Sequence, residues 1–272
     1  MSSVEASRLL GRPRGRARWV ELLGRAGLVA KGVSYALVGA LALGLAFGAG
    51  GRATSRQGAL ATIATHGWGK ALLLLLAAGF AAYALWRLAE TIWPDSGDDG
   101  AKQAAKRAGT LGRAAIYAGL TYSAVKIAFG SGEESQTAKA HKATAQVLDW
   151  PGGTWLVGVI GACIVAAGVY NAYRGITKKF TKRWESAGRE IESWGERAGV
   201  VGLLARAIVF CLIGAFFIKA AVDYDPRDAV GFDGALQKLA HETYGEWLLG
   251  VTAAGLLAYA VFCLVDARYR RI

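Results

Sequence analysis

Two lysines interrupt otherwise apolar runs, and their placement is the sequence's most pointed chemical signal. Lys126 and Lys219 each stand near the end of a long hydrophobic stretch, and Asp223 follows Lys219 by four residues, one helical turn on. A cation within a membrane has two readings. It snorkels, with its stem in lipid and its ammonium at the headgroups, or it faces other helices, pairs with an acid and lines a path for a solute or ion. Thirteen residues separate Lys126 from Arg113, so a helix would carry Lys126 ~20 Å across a ~30 Å hydrocarbon core.

Other chemistry-bearing residues are sparse. His66, His141 and His241 are the only histidines, and His66 and His241 occupy matching loop positions. A metal or proton-transfer role would need ligands that the sequence does not place beside them, so His66 and His241 are candidates only for an outer-face site. Asp223, Asp225, Asp228, Asp233, Glu242 and Glu246 make one loop acidic, a solvated face or an attractor of cations or a basic partner. Cys163, Cys211 and Cys263 lie in separate apolar segments with no CxxC pair, and read as small packing residues. No Ser-His-Asp order, nucleotide loop or paired carboxylates fall in the apolar runs, so catalysis, cofactors and bound metals are not expected.

The elements that position these residues are membrane helices. The chain has 272 residues, 54% of them hydrophobic, and a net charge of +12. A basic balance raises nucleic acid as a partner, but uncharged stretches such as 32–51, 71–89 and 245–265 match the ~20 residues needed to cross a bilayer. Lipid is therefore the expected partner and nucleic acid is not.

The stretches repeat. Arg25-Ala26-Gly27 and Lys31 align with Arg107-Ala108-Gly109 and Arg113, and Gly199, Gly202 and Arg206 follow the same pattern. Tyr35, Tyr117 and Phe210 then coincide, as do Tyr83, Tyr170 and Tyr259, so each unit opens with a cation at the membrane edge. The expected fold is all-α: a polytopic integral membrane protein of six transmembrane helices in three parallel two-helix repeats, with short amphipathic helices at the outer face. A basic segment, 1–22, precedes repeat one, 23–94, with spans 32–50 and 70–92. Repeat two covers 105–175, with spans 114–130 and 154–173, and repeat three covers 199–272, with spans 207–222 and 245–265. A small-residue stripe, Gly32/Ala36/Gly39 with counterparts Ala114/Ala118/Thr121 and Ala207/Cys211/Gly214, marks faces buried against other helices.

Between repeats two and three, residues 176–198 read as an interfacial amphipathic helix. Phe180, Trp184, Ala187, Ile191, Trp194 and Ala198 step by four and three, with Lys178, Lys179, Lys182 and Arg183 on other faces. Trp184 and Trp194 would sit at headgroup depth, and the basic residues would be drawn to the anionic inner leaflet at about 1 kcal/mol each. In alternate segments, 23 Lys and Arg fall on one side and 7 on the other, which puts both termini in the cytoplasm by the positive-inside rule.

The openings at Arg25 to Tyr35, Arg107 to Tyr117 and Gly199 to Phe210, with the Gly79/Tyr83 and Gly255/Tyr259 endings, resemble the actinobacterial membrane family called domain of unknown function 1206. Repeat two departs most, with Ala166 in place of the glycine. The resemblance implies a triplicated six-span fold, a plasma-membrane location and no established activity, hence no site residues. Three function classes remain. The first is a non-enzymatic scaffold or accessory subunit bound to other membrane proteins. The second is a transporter or channel for a small solute, ion or lipid at the interface between repeats. A lipid-modifying enzyme at the outer face comes last.

Overall fold

A computed structural model of the chain describes residues 14–47, 69–92, 100–130, 134–178, 180–181, 184 and 189–269. Six long helices dominate. They are α1 (Arg14–Ala46), α2 (Gly69–Ile92), α3 (Gly100–Ala128), α5 (Gly153–Ile176), α6 (Arg189–Val222) and α8 (Gly245–Tyr269). Two short helices, α4 (Gln136–Leu148) and α7 (Phe232–Ala240), lie in the connections of repeats two and three. The short helix expected near 58–66, with His66 at its end, lies outside the described residues.

Five of the long helices combine the length and hydropathy of membrane spans; α3 has the length but is more polar. Leu75, Trp155 and Val251 are exposed large apolar side chains on three of these helices, and in water such surface would be a liability. In lipid it is the solvent-facing side. Trp150, Trp155, Tyr244 and Trp247 cluster at the starts of α5 and α8, an aromatic belt of the kind that sits at headgroup level. The chain is a multi-pass membrane protein.

The helices pack in the order α3, α2, α1, α8, α6, α5. Helices α1 and α2 of repeat one touch, as do α6 and α8 of repeat three. Of the three expected two-helix repeats, the two helices touch one another in these two. Helix α3 packs on α2 and α5 packs on α6, with no comparable contact between α3 and α5 themselves. The six helices thus form an arc in ring order with one seam inside repeat two.

Small residues explain the packing. Helices in lipid gain no water-driven hydrophobic attraction, so they associate where backbones approach closely. Gly32 and Gly39 of α1 lie against Ala260 and Leu257 of α8, while Gly214 and Cys211 of α6 lie against Gly161 and Gly168 of α5. The small-residue stripe is therefore a buried face in repeats one and three. In α3, Ala114 is buried but Ala118 is exposed.

The segment 176–198 differs from the expected single amphipathic helix. Lys178 has φ 51, a left-handed conformation that ends the helical course after α5, and the described part of α6 runs unbroken from Arg189 through Val222. Phe180 and Trp184 turn inward. Phe180 is buried edge-on against Phe262, and the Trp184 indole N–H donates to the buried Asp266 at 3.1 Å. An indole that can satisfy its one donor inside gains more there than at the headgroups. Trp194 is exposed, and Lys178 pairs with Glu196. Lys179, Lys182 and Arg183 lie outside the described residues.

At the opposite end, α4 caps α7. The Thr137 hydroxyl accepts from the N–H groups of Gly231 and Gly234, each at 3.1 Å, and donates to Asp233 at 2.7 Å, while Gln136 accepts from the Phe232 N–H. A neighbouring helix thereby serves the N–H groups that a helix start leaves open. Thr137→Val should cost about 1–3 kcal/mol by stranding the Gly231 and Gly234 amides and removing one of the donors to buried Asp233, which keeps the Thr137 backbone N–H, read as a lower thermal unfolding midpoint in detergent.

Candidate functional site

The repeat-equivalent cations converge in the arc. Lys31 on α1 places Nζ 5.8 Å from the Tyr83 ring and 5.2 Å from the Tyr259 ring, bridging α2 and α8. Arg206 on α6 shares the Tyr259 ring at 4.6 Å, donates to its hydroxyl at 2.6 Å, and lies 5.3 Å from the Tyr35 ring. Arg87 on α2 stacks on Tyr83 at 4.9 Å and donates to its hydroxyl at 2.7 Å, with Glu90 as its acid. Tyr35 meets Tyr259 and Tyr83 meets Tyr117, at ring separations of 4.8 and 4.3 Å. Two tyrosine pairs thus join repeat three to one and repeat one to two.

Arg113, the third equivalent cation, is exposed on α3, within electrostatic reach of Arg87 and of Arg174 on α5. The arc is curled, since Arg206 on α6 also lies within electrostatic reach of Tyr117 on α3. From Lys31, Arg113 and Arg206 to the C-terminal ends of their helices is about 22–24 Å at ~1.5 Å per residue, so all three stand at a similar height along their helices.

Geometry separates the closed repeats from the open one. A Cβ at Gly27 would lie 2.5 Å from the Tyr83 Cβ, and one at Gly202 would lie 2.5 Å from the Tyr259 Cα, so each glycine is required where its hairpin crosses. One turn away, Gly79 meets Ala30 and Gly255 meets Ala205. In repeat two the corresponding Gly112 has open space within 4 Å, Gly109 has only the Arg113 side chain near it, and Tyr170 is exposed. The glycine and alanine are also exchanged there, Gly112 on the first helix and Ala166 on the second. The seam therefore keeps the small residues of a crossing that is not made.

The residues that the sequence marks as candidates lie elsewhere in the molecule. Lys126 and Lys219 fall in the last turns of α3 and α6, both exposed at the helix rim, where a cation complements the helix dipole. Lys219 is brought to Asp228 at 2.7 Å and to Asp223 at 3.3 Å. Helical spacing points to Asp223 and misses the nearer acid, Asp228, because the turn at Pro226–Asp228 that brings it back has no helical period. His241 is exposed at the end of α7, and no group of three or more His, Cys, Asp and Glu able to hold a metal occurs among the described residues. Two apolar grooves, one between α6 and α8 beside Trp194 and Arg197 and one between α5 and α6 beside Trp155, are lined by none of Lys31, Arg87, Arg113 or Arg206.

Fold and site define a membrane protein of internally repeated helix pairs with a cationic, tyrosine-lined interior. Comparison with known proteins names its kin. The family described as Domain of Unknown Function (DUF1206) matches three times, at residues 26–93, 108–178 and 201–270, and the chain belongs to that family. An uncharacterised protein of Bacillus subtilis (strain 168), YxxB, is 32% identical over 257 residues, covering 93% of this chain and 92% of its own. No solved structure matches.

Two tests follow from the packing and the charges. Gly202→Val should lower stability by about 1–3 kcal/mol by forcing α6 from α8, whereas Gly112→Val should be nearly neutral. An equal loss in both, read by thermal unfolding in detergent, would mean that α3 and α5 meet in solution. The Lys219 hydrogen bond holds the Asp228 carboxyl below its ordinary range. A lowered native value contributes stability above the unfolded value of about 3.9, and that contribution fades as pH falls through the native value. Lys219→Gln should therefore flatten the stability profile below about pH 4, by a small amount because the pair is exposed.

Proposed function

We propose that the protein is a non-enzymatic, plasma-membrane protein of six spans with both termini in the cytoplasm, and that it accommodates an amphiphilic or anionic guest through the seam between α3 and α5. The observation that carries this reading is the unmade crossing at Gly112 and Ala166 beside the shared cluster of Lys31, Arg87, Arg113 and Arg206. A lateral opening between helices suits a molecule that arrives from the bilayer, and cations at its inner end suit a polar head. Handling of a lipid or small solute between repeats therefore takes precedence over the scaffold role that the small-residue stripes and the basic amphipathic segment of the sequence put first.

The accessory-subunit reading keeps one specific support. The same small residues would seat a helix of another membrane protein. Native mass spectra of the protein, extracted gently with surrounding lipid, separate the two. A lipid or small molecule retained in fixed stoichiometry supports the guest. A stoichiometric protein that crosslinks to α3 and α5 would replace the guest with a subunit interface, and a bare monomer would overturn both.

A further inference from the structure

We infer that the cluster of Lys31, Arg87, Arg113, Arg174 and Arg206 is a binding site for a terminal phosphate, the unshielded group of a phosphate monoester and not the choline-capped diester of phosphatidylcholine, entered through the α3–α5 seam. The inference rests on the guest reading and names the chemistry of the guest.

The charge balance is the first argument. Five cations from all three repeats gather at the inner end of the arc, and among the described residues no carboxylate forms an ion pair with Lys31, Arg113, Arg174 or Arg206, Glu90 reaching Arg113 only at longer range. Glu90 pairs with Arg87, and Asp266 accepts the Trp184 indole. Uncompensated cations at this depth are costly, and cation–π contacts recover only part of that cost. An anion supplied from outside would complete the balance.

The donor set is the second argument. Arginine forks match phosphate oxygens two at a time, whereas a lysine serves as a point charge, and both kinds are present. The Nε groups of Arg87 and Arg206 are buried without a hydrogen-bond partner, so the two guanidiniums that tyrosine hydroxyls already hold in place keep unused donors. Lys31 and Arg206 are partly buried, and Arg113 and Arg174 stand on the two helices that flank the seam. The opening and the charge are thus on the same side of the ring.

Repetition is the third argument. Lys31, Arg113 and Arg206 are one position of the repeat, presented three times at a similar height along their helices, a symmetric arrangement suited to a group with several equivalent oxygens. The phosphate could belong to a lipid headgroup or to a water-soluble ester, and the chemistry at the cations is the same.

The test uses the full-length protein in detergent. Native mass spectra are taken with dioleoyl phosphatidate or dioleoyl phosphatidylcholine added, and thermal unfolding is followed with inorganic phosphate and with glycerol 3-phosphate. Retention of phosphatidate at least about tenfold above phosphatidylcholine is expected, falling about tenfold in Arg113→Gln and in Lys31→Met but not in Lys126→Gln. Arg113 is exposed and Met is welcome in lipid, so both variants should fold, and unchanged thermal unfolding of the empty variants checks this. If the soluble phosphates stabilise the protein and phosphatidate does not bind, the site stands with a soluble ester as its ligand. Equal retention of both lipids, or binding unmoved in Arg113→Gln, overturns the phosphate site while leaving a guest in the seam. Failure to retain either lipid or to respond to either phosphate removes both readings.

Discussion

Close backbone approach is the constraint on which the rest of this protein depends. In lipid an apolar side chain gains nothing by leaving its surroundings for another helix, so helices hold together only where they touch at short range over a long line. Glycine and alanine supply that line at the α1·α8 and α6·α5 contacts, and Gly27 and Gly202 admit the tyrosine-bearing helices to their own hairpins. Each crossing also brings the first helix's cation to the second helix's tyrosine: Lys31 to Tyr83, and Arg206 to Tyr259. Packing and electrostatics are one arrangement here, because the glycine that permits the approach sets the distance of the charge from the ring.

The same constraint accounts for the open repeat. Helix α3 is the most polar of the six, and α5 buries a narrow stripe of Gly153, Val157, Gly161, Gly168, Asn171 and Gly175. Both helices spend their best contact line on a neighbouring repeat, α3 on α2 and α5 on α6. Nothing of comparable closeness is left to join them. The seam is the place where pseudo-threefold symmetry is broken, and the exposed Tyr170 and Tyr173 are the counterparts of buried Tyr259 and Phe262.

Of the six acids from Asp223 to Glu246, four are committed to structure. Asp225 caps the turn at Pro226–Asp228, Asp228 and Asp223 hold Lys219, and Asp233 is buried on Thr137. Much of a loop whose acids read as a solvated face is thus a set of internal partners, while Glu242 and Glu246 stay exposed.

Hydropathy, repeat offset and small-residue spacing are local in sequence, and from them the all-helical membrane architecture, the positions of the long helices and the equivalence of Lys31, Arg113 and Arg206 could be read directly. Phe180 and Trp184 mark the limit: their spacing is that of an interfacial helix, but a left-handed Lys178 and the distant acceptor Asp266 turn them inward. Periodicity reports which residues share a face and says nothing of what lies opposite. The convergence of Lys31, Arg87 and Arg206 from repeats one and three on two tyrosine rings, the return of Asp228 to Lys219, and the seam at Gly112 were decided by tertiary packing alone, because each depends on which helix wins a contest for the same close contact.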